Sequence, residues 1–144
     1  MKLTKRYAIF DLDGTLLDTL DDLTDSMNYM LGKHNFPLRT RDEVRNFVGN
    51  GVRKLVERAV PPEYKADDGF IDKFYDDFSL YYNSHSDMKT SPYPRTLDML
   101  DKLLENGFDI AIVSNKIDSA VKSLSAKFFG ERIKSATGEK QSIR

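Results

Sequence analysis

The chain has no cysteine among its 144 residues. That removes disulfide cross-links and thiolate chemistry, and it leaves the redox compartment undetermined. It also has almost no charge imbalance, with 22 Lys and Arg against 23 Asp and Glu and a formal net charge of −1. No block of basic residues stands out, so neither a nucleic-acid backbone nor an anionic membrane surface finds an electrostatic partner. No apolar run approaches the roughly 20 residues that a membrane span requires. The apolar run within residues 1–10 is too short for a signal peptide and is interrupted by Asp11. The expectation is a soluble, cytoplasmic protein with no nucleic-acid or membrane partner.

What is present is core material. The hydrophobic fraction is 40%, with 9 Phe and 7 Tyr, and the length suggests one domain. Tyr7-Ala8-Ile9-Phe10 is a short run of strand formers, apolar on both faces, that reads as a buried parallel strand. Leu20, Leu23, Met27, Met30 and Leu31 recur at helical spacing. Thr40-Arg41-Asp42-Glu43 has the form of a capping box and opens a helix bearing Val44, Phe47 and Val48. Gly49-Asn50-Gly51 interrupts it, and Val52, Leu55, Val56 and Ala59 resume the pattern until Pro61-Pro62. Phe70, Phe74, Phe78, Tyr81 and Tyr82 form an aromatic stripe best read as a packing face. Leu97 to Leu104 mark the next helix, which Asn106-Gly107 stops. Ile110-Ala111-Ile112-Val113 is a second buried strand, Ala120 to Phe128 another helix, and a weak strand begins near Ile133. The order predicts an α/β unit with an all-helical module placed after the first strand.

Two clusters carry chemistry. Asp11-Leu12-Asp13-Gly14-Thr15 follows the first strand, at the carboxyl edge where open parallel sheets bind ligands. Carboxylates two residues apart in a turn can converge on one point, and Gly14 permits that turn to be sharp. Paired carboxylates with a hard cation suit phosphoryl transfer, one attacking and the other moving a proton. A plain acidic turn is the competing reading. Ser114-Asn115-Lys116 follows the second strand. A hydroxyl and free backbone N–H groups at a strand-to-helix turn make a phosphate cradle, although Ser and Asn also cap helices for structural reasons alone.

Asp11-Leu12-Asp13-Gly14-Thr15-Leu16-Leu17-Asp18-Thr19 resembles the first motif of the haloacid dehalogenase-like superfamily, and Ala111-Ile112-Val113-Ser114-Asn115-Lys116 resembles its second. The helices between, including Val48-Gly49-Asn50-Gly51-Val52, resemble the cap of its phosphoglycolate phosphatase-like branch. The resemblance implies a parallel Rossmann-like sheet core, residues 1–17 and 92–144 and incomplete in this chain, with a helical cap over residues 18–91. It implies a Mg²⁺-dependent phosphatase acting on a small phosphorylated metabolite, phosphoglycolate among the candidates, through an aspartyl phosphate. Asp11 would be the nucleophile and a Mg²⁺ ligand. Asp13 would be the general acid and base and would bind the metal through its carbonyl. Gly14, Thr15, Ser114 and Asn115 would hold the phosphoryl group. Arg53, just past the Gly49–Gly51 break, is a candidate for pairing with a substrate carboxylate in bidentate fashion. An acid at Asp13 fits phosphatases and phosphomutases, whereas dehalogenases and phosphonate hydrolases generally lack it. Arg95 departs from the glycine common after the Tyr-Pro pair.

The resemblance also implies a later lysine and a late acidic pair. Lys134 precedes Ser135, Lys140 precedes Gln141, and no acidic residue follows Lys140, so the chain reads as stopping before the third motif. The expectations are little activity in this chain as it stands and self-association through an exposed sheet edge. A sugar phosphomutase and a non-catalytic fragment are the competing functions. His34 and His85 lie in neither motif, and the implied metal site needs oxygen ligands, so both are read as structural. Asp21-Asp22 and Asp76-Asp77 are read as solvated helix faces.

Overall fold

A computed structural model describes residues 5–140. Residues 141–144, which include the stretch without acids after Lys140, lie outside the described residues. The chain divides into two compact units, residues 1–18 with 91–144 and residues 19–90.

The first unit is built on strands β1 (Arg6–Phe10), β4 (Phe108–Ile117) and β5 (Ser135–Glu139), all parallel, in the order β1-β4-β5. β1 pairs with β4 from Arg6 opposite Phe108 to Phe10 opposite Ile112. Two short strands, β2 (Leu17–Asp18) and β3 (Ser91–Pro92), pair antiparallel where the chain leaves this unit and returns. Helix α5 (Thr96–Glu105) precedes β4, and α6 (Asp118–Phe129) joins β4 to β5. Both crossovers step in the same direction across the sheet. With the same right hand, they place both helices on the same face. The core shows this: Leu100 of α5 and Val121, Leu124 and Phe129 of α6 bury against Ile110 and Ile112, with Leu12, Leu16 and Leu17.

The other face is open, which corrects the expectation of a strand buried on both sides. Tyr7, Ile9 and Val113 are 55%, 67% and 56% exposed. Sequence periodicity reports that a strand is apolar, whereas the face that is covered depends on where the crossover helices go. On the open face Asp109 accepts from Lys5 at 2.9 Å and Lys134 at 3.0 Å, tying the starts of all three strands. These ammonium groups hold the Asp109 carboxyl below the usual carboxylate range.

β5 reaches α6 through Gly138. Its N–H donates to the Asp118 carboxylate at 2.9 Å, and a Cβ there would collide with the Lys116 carbonyl and the Asp118 Cα. Lys122 and this N–H lower the Asp118 pKa. α5 starts from Arg95, whose φ of 68° is left-handed. A non-glycine residue held there costs about 1–2 kcal/mol.

The second unit contains only helices: α1 (Leu20–Lys33), α2 (Arg41–Phe47), α3 (Val52–Ala59), a 3-10 turn (Pro62–Tyr64) and α4 (Asp68–His85). The Thr40–Glu43 capping box forms as predicted, and Gly51, at φ 89°, separates α2 from α3. Leu23, Met27, Met30 and Leu31 of α1 are buried, as are Ile71, Phe74, Phe78 and Tyr82 of α4. The aromatic stripe is therefore a packing face. His34 lies against Phe36, Phe70 and Phe74, and His85 stacks on Tyr81 with centroids 3.9 Å apart.

Asp22 does not lie on a solvated helix face. It is 2% exposed, and its carboxylate accepts the Lys89 and Thr90 N–H groups and the Thr90 hydroxyl at 2.7–3.0 Å. It thereby fastens the start of this unit's chain to its end. No helix among the described residues is long and apolar enough to cross a membrane.

Candidate active site

The segment Asp11-Leu12-Asp13-Gly14-Thr15-Leu16-Leu17 sorts its residues by polarity. Leu12, Leu16 and Leu17 are buried in the core at 0–1% exposure, whereas Asp11, Gly14 and Thr15 are exposed. The Leu12 carbonyl accepts the N–H groups of Thr15, Leu16 and Leu17 at 3.0–3.3 Å, and the Gly14 N–H donates to the Leu17 carbonyl at 3.0 Å. So tight a turn needs φ 75° at position 14, which glycine adopts without steric cost. The apolar residues anchor the turn, and its polar residues are left facing outward at the carboxyl end of β1. There Asp11 accepts the Leu12 N–H at 2.8 Å.

The neighbouring strand delivers the second cluster. β4 continues through Ile117, so Ser114, Asn115 and Lys116 are strand residues and α6 begins only at Asp118. This corrects the expectation of a strand-to-helix turn. The cause is a register shift: β4 loses its regular pairing with β5 between Val113 and Ile117. Irregular pairing of this kind frees polar groups at a sheet edge without ending the strand. Ser114 is buried, and its Oγ accepts the Lys116 N–H at 3.1 Å, which leaves its own O–H available to donate. Asn115 is exposed.

Lys116 carried no assigned role in the sequence. Its side chain is 2% exposed, and its Nζ lies 3.2 Å from Asp13 Oδ1, itself 25% exposed. A lysine directly after a Ser-Asn pair at the end of a buried strand is the signal that could have found it. The structure thus joins Asp13, Lys116 and Ser114 by direct contacts, with Asp11 one residue beyond the paired end of β1. Arg53 belongs to the helical unit. Its guanidinium bonds Asp72 and lies 3.3 Å from Glu57 and 3.5 Å from Asp68. The Asp72 hydrogen bond raises its pKa above the ordinary arginine value.

The two ligands the resemblance implies for Mg²⁺, the Asp11 carboxylate and the Asp13 backbone carbonyl, are both oxygens of this turn. Such a set fits Mg²⁺, which is bound by one or two carboxylates while keeping waters and taking phosphate oxygens. Among the described residues no group of three or more His, Cys, Asp or Glu side chains could form a closed protein cage for a metal.

A family model for haloacid dehalogenase-like hydrolases matches residues 8–131. The phosphoglycolate phosphatase of Psychrobacter arcticus is 39% identical over 136 residues, covering 89% of this chain and 57% of that protein. The phosphoglycolate phosphatase of Agrobacterium fabrum is 35% identical over 112 residues, covering 77% of this chain and 48% of its own length. Among solved structures, a candidate phosphoglycolate phosphatase from Lactobacillus delbrueckii subsp. bulgaricus superposes with a TM-score of 0.84 at 31% identity. It covers 99% of this chain and 68% of that one. The chain spans about half the length of the curated relatives it matches.

Proposed function

Since this chain belongs to the haloacid dehalogenase-like hydrolases through residues 8–131, we propose that it supplies the nucleophile and proton-transfer group of a phosphatase. The substrate is a small phosphate monoester, with phosphoglycolate the first to test because the similar proteins carry that name. The observation that carries this reading is the pairing of β1 with β4. It sets an exposed carboxylate, Asp11, at the same sheet end as the Asp13–Lys116–Ser114 cluster.

In the proposed reaction an Asp11 carboxylate oxygen attacks phosphorus and the ester P–O bond breaks. The departing alkoxide takes a proton from Asp13. Water then attacks the acyl phosphate, gives its proton to Asp13, and releases phosphate with the Asp11 carboxylate restored. Ser114 donates its O–H to a phosphoryl oxygen, and Asn115 and the turn at Gly14-Thr15 surround the same group. Mg²⁺ held by the Asp11 carboxylate and the Asp13 carbonyl would neutralise phosphate charge as the anionic nucleophile approaches. The expectation that Arg53 recognises a substrate carboxylate is tested separately, because its guanidinium is already bonded to Asp72 within the helical unit.

Phosphate release from phosphoglycolate and from a neutral alkyl phosphate, measured in any active form of the protein, tests the assignment. Asp11→Asn should abolish turnover of both while the circular dichroism spectrum is retained. Arg53→Ala should raise KM for phosphoglycolate selectively. Turnover by Asp11→Asn within a few-fold of the parent would falsify the nucleophile, and equal KM changes on both esters would remove Arg53 from recognition.

A further inference from the structure

Lys5, Lys54, Lys73, Lys89, Lys122 and Lys134 meet carboxylates with side chains 52–75% exposed. Lys116 does so at 2%. Taking an ammonium out of water is costly, and an apolar side chain of similar volume in its place is often neutral or stabilising. Packing therefore does not require a cation at position 116. The cation is buried against one of the two acidic residues of the turn, which ties its presence to Asp13.

The backbone of Lys116 is held from two sides. Its N–H donates to Ser114 Oγ at 3.1 Å, and its carbonyl faces Gly138, where a Cβ would collide with it. From this anchored backbone the side chain brings Nζ to 3.2 Å from Asp13 Oδ1. An ammonium group donates and cannot accept. Oδ1 is thereby held as an acceptor, and the proton of the acid form of Asp13 belongs on Oδ2. The Asp13 side chain is 25% exposed against 2% for Lys116, so an ester arriving from solvent meets the carboxyl group and not the ammonium.

We propose that Lys116 is a positioning residue that fixes the Asp13 side chain and makes Oδ2 the atom through which protons move. This rests on the reading of Asp13 as the proton-transfer group and adds the residue that orients it. As the ester P–O bond breaks, the Oδ2 proton passes to the departing oxygen. When water attacks the acyl phosphate, its proton returns to Oδ2. A carboxyl group that rotates freely holds its proton out of line for part of the time, and small misplacements are costly in rate. Through its N–H, Lys116 also keeps Asp13 in register with Ser114, the hydroxyl assigned to the phosphoryl group.

NMR of the 144-residue chain tests the positioning without turnover. The Asp13 Hα–Hβ couplings should report one staggered χ1 rotamer in the parent and an average over rotamers in Lys116→Met. Lys122→Met removes an exposed ammonium from α6 and should leave those couplings as they are in the parent. In any active form of the protein, kcat/KM follows the reaction through P–O cleavage, the step in which the leaving oxygen takes its proton. Lys116→Met should lower kcat/KM about tenfold for an alkyl phosphate. For an aryl phosphate, whose leaving group needs no proton, the loss should stay below about twofold. Asp13→Asn should discriminate in the same direction and more strongly. Equal losses on both esters in Asp13→Asn would overturn the proton-transfer reading, and the role of Lys116 with it. Discrimination by Asp13→Asn without discrimination by Lys116→Met would overturn the role of Lys116 alone. So would averaged couplings in the parent, a single Asp13 rotamer in Lys116→Met, or a Lys122→Met that matches Lys116→Met.

Discussion

Asn at position 13 would leave the Lys116 ammonium, 2% exposed, without the carboxylate that lies 3.2 Å from it. A buried charge separated from its partner is costly to fold around. Since Asp13 is a quarter exposed, the expected loss is about 3 kcal/mol, the lower end for breaking a buried pair. Asp13→Asn should therefore lower both stability and turnover, and activity alone would confound the two effects. Replacing both charges separates them: Asp13→Asn with Lys116→Met should recover most of the lost stability in urea unfolding and none of the turnover. If the double variant is no more stable than Asp13→Asn, Lys116 is not the source of the cost. If it regains activity, Asp13 is not the proton-transfer group. The sequence singles out Asp13 as a candidate from five adjacent residues. It gave no warning of the pairing, because Lys116 reaches Asp13 only through the packing of β4 beside β1.

At the scale of elements, what the sequence made legible depended on how local the cause was. The Thr40–Glu43 box, the Asn106-Gly107 stop and the aromatic stripe of α4 act within one or two turns, and all formed as read. Asp22 looked solvated beside Asp21 because its partners, Lys89 and Thr90, lie 67 and 68 residues away. β5 was the weakest strand in the sequence, Ser135–Glu139 having little apolar pattern. Its position is fixed instead by close approach at Gly138. Gly138→Ala should force the Lys116 carbonyl and the start of α6 to shift, costing about 1–3 kcal/mol as overpacking does. Thr137→Ala, at an exposed neighbour, should change stability by no more than about 0.5 kcal/mol. Thermal melts of the two variants check this. Equal melting temperatures would mean that β5 is not held by contact with α6.

For the whole molecule, the open sheet face and the free edge have a joint consequence. In the order β1-β4-β5, β1 is an end strand. Among the described residues no strand pairs with its other side, and it carries the exposed Tyr7 and Ile9 on one face, with Val113 beside them on β4. Natural edge strands are blunted by lysines, prolines, bulges or short length. Here the only charges on β1 are at its start, at Arg6, and the residues from Tyr7 to Phe10 carry none. Nothing along that stretch discourages pairing with a second copy. The 144-residue chain should accordingly associate in a concentration-dependent way, visible as a rising weight-average mass in light scattering. Ile9→Lys sets a charge in the middle of the edge at a position 67% exposed. It should keep the protein monomeric at the same concentrations, with a melting temperature close to the parent's because little burial is lost. Tyr29→Lys adds the same charge to an exposed position on α1 and should leave association unchanged. A parent chain that stays monodisperse across the concentration series would show that the bare edge does not drive association. Equal suppression by Ile9→Lys and Tyr29→Lys would attribute the effect to net charge rather than to β1.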